Sequence, residues 1–168
     1  SIISFEDVLG VKEILDFLDL QPDQVVIEMG TGTGEFALAA ASRCRKVYAV
    51  DLSLGMLRYA EKKAQSRNVS NVEFLPGGFL TYGHLGEPLD AVVSQLALHH
   101  LPDFWKQIAL LRLASMLKPG GRLCLRDVVY SFSPADYARF FDEFLSGELD
   151  RTKGDREFVG SITSHVKN

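Results

Sequence analysis

The residues best suited to chemistry lie in the segment VVIEMGTGTGEFALAAASRCRKVYAVD. An apolar run ends at Glu28, glycines follow at Gly30, Gly32 and Gly34, and a second apolar run ends at Asp51. Glycine is needed where the backbone turns with positive φ directly against a ligand, because a Cβ would block that approach. A carboxylate at the end of the second strand is placed to accept hydrogen bonds from ribose hydroxyls. The spacing therefore predicts a site for a small molecule that contains a nucleoside.

Two kinds of ligand compete for this segment. The dinucleotide fingerprint G-x-G-x-x-G/A fits Gly32, Gly34 and Ala37, with Asp51 about 20 residues further on, as that motif requires. The other pattern begins at Glu28 and reads as an acid, one further residue and then G-x-G-x-G. It resembles motif I of the class I S-adenosylmethionine (SAM)-dependent methyltransferases. In that family the acid lies close to the methionine end of SAM, and the glycine loop passes beneath it.

Four further segments resemble motifs of the same family in the right order, so the resemblance covers roughly residues 22 to 130. They are DLSLGML from Asp51, NVEFLPGGF from Asn71, LDAVVSQLALHHL from Leu89 and MLKPGGRLCL from Met116. The resemblance implies that Asp51 binds the ribose, that Met56 lies against the adenine, and that residues after the fourth strand touch the methionine part. The complete set of SAM-binding residues that it implies is Glu28, Gly30, Thr31, Gly32, Thr33, Gly34, Asp51, Leu52, Met56, Gly77, Gly78, Phe79, Ser94 and Gln95.

One position departs from the family's pattern. The loop after the third strand usually offers an acid to the adenine amino group, and this sequence has Gly78 there. Backbone groups or the neighbouring Phe79 would have to take that role, which predicts a reduced affinity for adenine. The departure also keeps open a third hypothesis, a module that binds SAM and transfers no methyl group.

The reaction implied by the resemblance is transfer of a methyl group from a sulfonium to a nucleophile. A general base helps only if the acceptor must lose a proton, and it would stand at the exits of strands four and five. His99 and His100 are the candidate catalytic residues, and we favour His100 because it lies nearer the next helix. An imidazole suits a phenol or an activated carbon acid. Asp127 and Tyr130 could line the acceptor pocket or cap the loop.

Composition limits the remaining possibilities. The chain has 168 residues, a formal net charge of −4 and no run of transmembrane length, which argues against nucleic acid and membrane partners. The histidines and cysteines match no metal-binding spacing, so we predict no metal site. Cys44 and Cys124 are interpreted as buried thiols in a reducing cytoplasm.

Apolar runs and helical patterns alternate as an open parallel sheet requires, which predicts an α/β three-layer sandwich with a mainly parallel, Rossmann-like sheet. The predicted strands are Val25–Met29, Lys46–Val50, Val72–Leu75, Asp90–Ser94 and Arg122–Val129. A capping box at Ser4 opens the first helix, Ser53 caps a later one, and the turn Lys118-Pro-Gly-Gly ends the helix that begins at Asp103. The predicted buried stripe of that last helix is Leu110, Leu113, Ala114 and Leu117.

The tail shows no segment with strand spacing, so the last two strands of the methyltransferase fold are predicted to be missing. That would leave an unpaired apolar edge on strand five, which natural proteins avoid. We predict one SAM-binding domain over residues 1–168, either C-terminally incomplete or a short form whose edge a second subunit of a homodimer covers. The predicted function is methyl transfer from SAM to an O, N or C atom of a small molecule. The alternatives are an NAD(P)-binding oxidoreductase domain and the inactive SAM-binding module.

Overall fold

A computed structural model of the protein describes residues 10–128, 133–136, 139–140, 142–143 and 146. The chain divides into two compact units, Ser1–Val128 and Val129–Asn168, and the candidate site lies in the first. The predictions for Ser4 and Tyr130 fall outside the described residues, and so does most of the tail. The prediction that strands six and seven are missing therefore stays a prediction.

The described part of the first unit alternates helices and strands. Its elements are α1 (Val11–Leu18), β1 (Val25–Met29), α2 (Glu35–Ala40), β2 (Lys46–Asp51), α3 (Leu54–Ser66), β3 (Val72–Pro76), β4 (Leu89–Gln95), α4 (Asp103–Met116) and β5 (Leu117–Arg126). A short 3-10 turn, Leu98–His100, separates β4 from α4. The five strands are all parallel in the order β3-β2-β1-β4-β5, which confirms the predicted fold class.

Both faces of the sheet are covered, so its central strands are continuous apolar runs. All five residues of β1 are buried. One face packs against α1 and α2 through Ile14, Leu18 and Phe36. The other packs against α4 through Leu113, and against the β3–β4 loop through Phe79. This three-layer arrangement fixes the strand ends, and the loops that follow them, in one rigid row.

The strand order predicts a crevice beyond the carboxyl ends of the central strands β1 and β4. After β1 the chain crosses to β2 on one side, whereas β4 pairs with β1 on the other side. In open parallel sheets, ligands bind beyond the carboxyl ends of the strands at such a reversal, because the loops diverge there. The glycine loop after β1 and the segment after β4 flank this crevice.

Strand five differs from its prediction. It begins at Leu117 rather than Arg122 and ends at Arg126 rather than Val129, so Lys118-Pro-Gly-Gly lies within its bounds. Leu117 already pairs with Leu89. A register shift between β4 and β5 then leaves the proline and glycines without regular partners, and regular pairing resumes at Arg122. A bulge of this kind depends on the partner strand, so the local sequence predicted a turn instead.

Two burial predictions are also corrected. Ala114 of α4 is exposed, and Ala109 is buried in its place, because Ala109 and Leu113 share the face that meets the sheet. Cys44 is buried as predicted, whereas Cys124 is only partly buried because it lies on β5, the edge strand of the described sheet. None of the helices in the described ranges is long and apolar enough to cross a membrane.

The N-terminus of α3 provides a stability test. The Ser53 Oγ accepts a hydrogen bond from the Met56 backbone N–H at 3.3 Å, which confirms the predicted cap. We expect Ser53→Ala to lower the free energy of unfolding by about 1 kcal/mol, because a helical donor loses its partner. Ser66→Ala, at the other end of the helix, is the control. Urea unfolding that shows equal losses for both variants would contradict this role of Ser53.

Candidate functional site

The loop after β1 is bound tightly to the end of β2. Its glycines all have positive φ: 79° at Gly30, 53° at Gly32 and 75° at Gly34. The backbone N–H groups of Gly30 and Thr31 both donate to the Val50 carbonyl, at 2.8 and 3.0 Å. The loop is therefore held in one backbone conformation, which residues other than glycine rarely adopt.

The three glycines face different surroundings. A Cβ at Gly30 would lie 2.5 Å from the Ala97 Cβ, and one at Gly34 would lie 2.9 Å from the Ala60 Cβ. At these two positions the missing side chain allows the glycine loop to pack directly against Ala97 and Ala60. A Cβ at Gly32 would meet no atom within 4 Å. Because no atom of the described residues lies close to that Cβ position, Gly32 is the glycine of this loop on which a ligand can lie directly against the backbone.

Glu28, at the end of β1, lies beneath this loop and is only 3% exposed. Its carboxylate accepts hydrogen bonds from the Thr31 hydroxyl at 2.6 Å and from the Gln95 amide at 3.1 Å. Burial raises the pKa of Glu28 to about 7, although both hydrogen bonds act in the opposite direction. The carboxyl group under the glycine loop is therefore only about half ionised at pH 7 and carries a full negative charge above that pH.

The residues at the end of β4 link neighbouring strands. The Ser94 hydroxyl is buried and donates to the Met29 carbonyl at 2.9 Å, inside the sheet. The Gln95 side chain joins β1 to β5, because its amide donates to Glu28 and its oxygen accepts from the Arg126 guanidinium at 3.3 Å. Both side chains are therefore engaged in holding the strand ends together.

Asp51 stands on the other side of the crevice from β4. Its two carboxylate oxygens accept from the backbone N–H groups of Gly32 and Ser53, each at 2.8 Å. Each oxygen keeps a second lone pair, so the carboxylate can still accept hydrogen bonds from a diol. Leu52 and Met56, just beyond it, are 75% and 45% exposed. Together these residues offer a polar end and an apolar wall.

The loop after β3 closes the far side of this wall. The Gly77 N–H donates to the Asp51 carbonyl at 3.0 Å, and the Gly78 N–H donates to the Thr81 hydroxyl at 3.0 Å. A Cβ at Gly78 would lie 3.0 Å from the Leu52 side chain, so glycine allows this close approach. Phe79 is buried in the core behind the loop.

The exits of β4 and β5 bring together two residues that are distant in the sequence. The Asp127 carboxylate accepts from the His99 backbone N–H at 3.0 Å, and its other oxygen lies 2.6 Å from the His99 Nδ1. Burial raises the pKa of Asp127, but the hydrogen bonds from His99 and the Val128 backbone outweigh it and hold this pKa below its usual range. The adjacent ring of His100 lies 4.2 Å from that of His99 between centroids and is exposed.

The structure thus places most of the predicted residues at or just after the carboxyl ends of β1, β2, β3 and β4. Thr33 lies at the exposed tip of the glycine loop. The pairing of His99 with Asp127 and the contact of Ala97 with Gly30 were not predicted. The position of Asp127 at the end of strand five was the only sequence signal for the pairing.

Comparison with known proteins agrees with this geometry. A family profile described as a methyltransferase domain matches residues 26–121, more than half of the chain. The parallel sheet, the glycine loop after β1 and the acid after β2 define the class I fold of SAM-dependent methyltransferases. The chain belongs to this methyltransferase family.

An uncharacterized methyltransferase of Geobacillus kaustophilus is 34% identical over 121 residues, which are 72% of this chain and 54% of the relative. The chain therefore spans about half the length of that relative. The crystal structure of the YcgJ protein from Bacillus subtilis matches with a TM-score of 0.68 and 26% identity over 74% of this chain and 53% of its own. Coclaurine N-methyltransferase, solved with N-methylheliamine and S-adenosylhomocysteine (SAH) bound, shares the fold at 24% identity, with a TM-score of 0.62 over 68% of this chain and 34% of its own.

Proposed function

We propose that the crevice binds SAM and that the protein transfers its methyl group to a small molecule. The open position of Gly32 carries this proposal, because its own N–H donates to Asp51, the residue proposed to bind the ribose, and the neighbouring Thr31 donates to the buried carboxylate of Glu28. The exposed Leu52 and Met56 next to Asp51 suit a flat adenine ring. These residues therefore fit the ribose and the adenine of SAM, which supplies the methyl group when it is bound.

The start of α2 favours SAM over a dinucleotide. A pyrophosphate would lie at the N-terminus of this helix, where backbone N–H groups attract anions. Glu35 occupies the first turn of α2 and forms an ion pair with Lys63. The ion pair engages the Lys63 ammonium with a carboxylate of the chain, so this charge is less available to a pyrophosphate, and SAM has no pyrophosphate to bind there.

The carboxyl ends of the strands suit a small acceptor rather than a polymer. The acceptor would approach from the exits of β4 and β5, where His99 and Asp127 lie. A chain with a net charge of −4 is poorly suited to bind nucleic acid. We further propose that the protein acts in the cytoplasm without a membrane partner. We also propose that the protein forms a homodimer in which a second copy of the chain covers β5.

Asp51→Ala tests the cofactor assignment. We expect SAH to bind the wild type, and the substitution to weaken binding by about 1–3 kcal/mol, the scale of a hydrogen bond to a charged group. Isothermal titration calorimetry measures both affinities. Glu73→Ala on β3, whose carboxylate is paired with Lys46, is the control and should bind SAH as the wild type does. Equal SAH affinity in Asp51→Ala and the wild type would contradict the proposed ribose contact.

A further inference from the structure

We propose that the cofactor site does not require a 6-amino group on the purine, because the Thr81 hydroxyl meets that position and a hydroxyl can either donate or accept a hydrogen bond. This inference rests on the proposed function, since it concerns the purine end of SAM in the same crevice. It gives Thr81 the role at the purine edge that the sequence left to backbone groups or to Phe79.

The loop after β3 is joined to both parts of the proposed nucleoside site. The Gly77 N–H donates to the Asp51 carbonyl at 3.0 Å, on the residue proposed to bind the ribose. At the next position, a Cβ on Gly78 would lie 3.0 Å from the Leu52 side chain, which forms part of the proposed adenine wall. The 6-position of a purine is on the edge opposite to the ribose. A ring that lies on Leu52 therefore directs this edge towards Gly78 and its neighbours.

The Thr81 hydroxyl is a polar group directly beside Gly78. Its oxygen accepts a hydrogen bond from the Gly78 N–H at 3.0 Å, and Thr81 is exposed. The oxygen keeps a second lone pair, and no group among the described residues accepts a hydrogen bond from the hydroxyl hydrogen. The hydroxyl can therefore accept from a 6-amino group or donate to an oxygen at the same position.

A carboxylate would read this position differently. An ionised carboxylate only accepts hydrogen bonds, so it would select an amino group and repel an oxygen. Glu73, the nearest acid before Gly78 in the sequence, is paired with Lys46. Glu87, the nearest acid after it, is paired with Arg45. Each of these carboxylates already has a cationic partner, so neither replaces the acid that Gly78 lacks.

Arg112 of α4 holds the loop in this conformation. Its Nε donates to the Phe79 carbonyl at 3.0 Å, and its Nη2 donates to the Tyr82 carbonyl at 2.7 Å. The backbone N–H groups of Thr81 and Tyr82 both donate to the Gly78 carbonyl, at 3.1 and 2.9 Å. The Phe79 ring is buried in the core and would have to leave that packing to reach a ligand. The loop therefore presents the Thr81 hydroxyl rather than an aromatic ring.

Three analogues of SAH with altered purines test the proposal by isothermal titration calorimetry. They carry a methylamino group, a methoxy group or only hydrogen at the 6-position. The first two are nearly equal in size, but the methylamino group donates a hydrogen bond and the methoxy oxygen accepts one. We expect the wild type to bind these two with affinities within about fivefold of each other, because a hydroxyl forms a neutral hydrogen bond with either.

Gly78→Asp should create a preference between the two substituted analogues. The added carboxylate accepts from the methylamino group and cannot pair with the methoxy oxygen, so we expect it to favour the methylamino analogue by about 10- to 150-fold. Gly78 is not among the glycines with positive φ, and Leu52 is 75% exposed and can move to admit the new side chain. Gly78→Ala, which adds only the Cβ, is the matched control and should show no preference.

Thr81→Val separates a contact with the purine from a structural role in the loop. It should weaken binding of the methylamino and methoxy analogues by about 2- to 10-fold and leave binding of the analogue with hydrogen at the 6-position unchanged. Thr81→Ser keeps the hydroxyl and should bind all three analogues as the wild type does. Equal losses with all three analogues in Thr81→Val would show that the residue only supports the loop, and would overturn the proposal.

Two results with the wild type would also overturn the proposal while the proposed function stands. One is a preference of about tenfold or more for the methylamino over the methoxy analogue, which is the behaviour of a site that selects a donor. The other is binding of SAH without binding of either substituted analogue. If the wild type does not bind SAH, the proposed function itself is wrong.

Discussion

Replacing Gly32 by alanine should weaken SAH binding by about 1–3 kcal/mol, a factor of about 5 to 150, because the new methyl group enters the space assigned to the ligand. The added Cβ meets no atom of the described residues within 4 Å, so its effect on their packing is small. The positive φ of 53° makes alanine unfavourable at this position by about 1 kcal/mol. Calorimetric titration with SAH gives the affinity, and urea unfolding gives the stability.

Gly120→Ala is a matched control for this effect. Gly120 also has a positive φ, 80°, and an added Cβ there also meets nothing within 4 Å, but it lies in the early part of β5, at the amino edge of the sheet. Both variants should lose similar stability, and only Gly32→Ala should lose affinity. Similar SAH affinities in the two variants would show that no ligand lies over Gly32.

Stability should fall as the pH rises through the range in which Glu28 ionises. Its pKa is raised to about 7 in the folded protein from an ordinary value of 4.5, so burial favours the protonated form. The contribution of protonated Glu28 to the free energy of unfolding is fully present below pH 4.5, where the carboxyl is protonated in both the folded and the unfolded protein. It is lost between pH 4.5 and about 7, as the unfolded chain ionises first. From pH 5 to 8 the loss is about 2–3 kcal/mol.

Glu28→Gln should remove this pH dependence, because the amide keeps nearly the same shape and does not ionise. The measurement is the free energy of unfolding in urea at pH 5 and pH 8 for the wild type and the variant. Glu35→Gln, which removes an exposed carboxyl from the same segment, should follow the wild type. If the free energy of unfolding of Glu28→Gln fell between pH 5 and pH 8 as much as that of the wild type, the Glu28 carboxyl would ionise normally in the folded protein.

The sequence predicted the features that are determined locally. The strand Val25–Met29 follows from an uninterrupted apolar run, and the helix beginning after Ser53 follows from its capping residue. The glycine loop was recognisable because the positive φ at Gly30 and Gly32 leaves few alternatives to glycine. The row of candidate cofactor-binding positions then follows from the parallel arrangement of the strands.

Features that depend on distant parts of the chain were missed. The early start of β5 at Leu117 depends on its partner Leu89, and the pairing of His99 with Asp127 joins the ends of two strands. The sequence therefore ranked His100 first, since spacing along the chain carries no information about which imidazole faces a carboxylate. The engagement of Ser94 and Gln95 with neighbouring strands is equally non-local.

Titration of the wild-type protein with SAH and, separately, with NADH tests the central claim most directly. Calorimetry should detect saturable, one-site binding of SAH and no heat of binding with NADH at the same concentrations. Binding of NADH without SAH would contradict a SAM site and identify the glycine loop as a dinucleotide site.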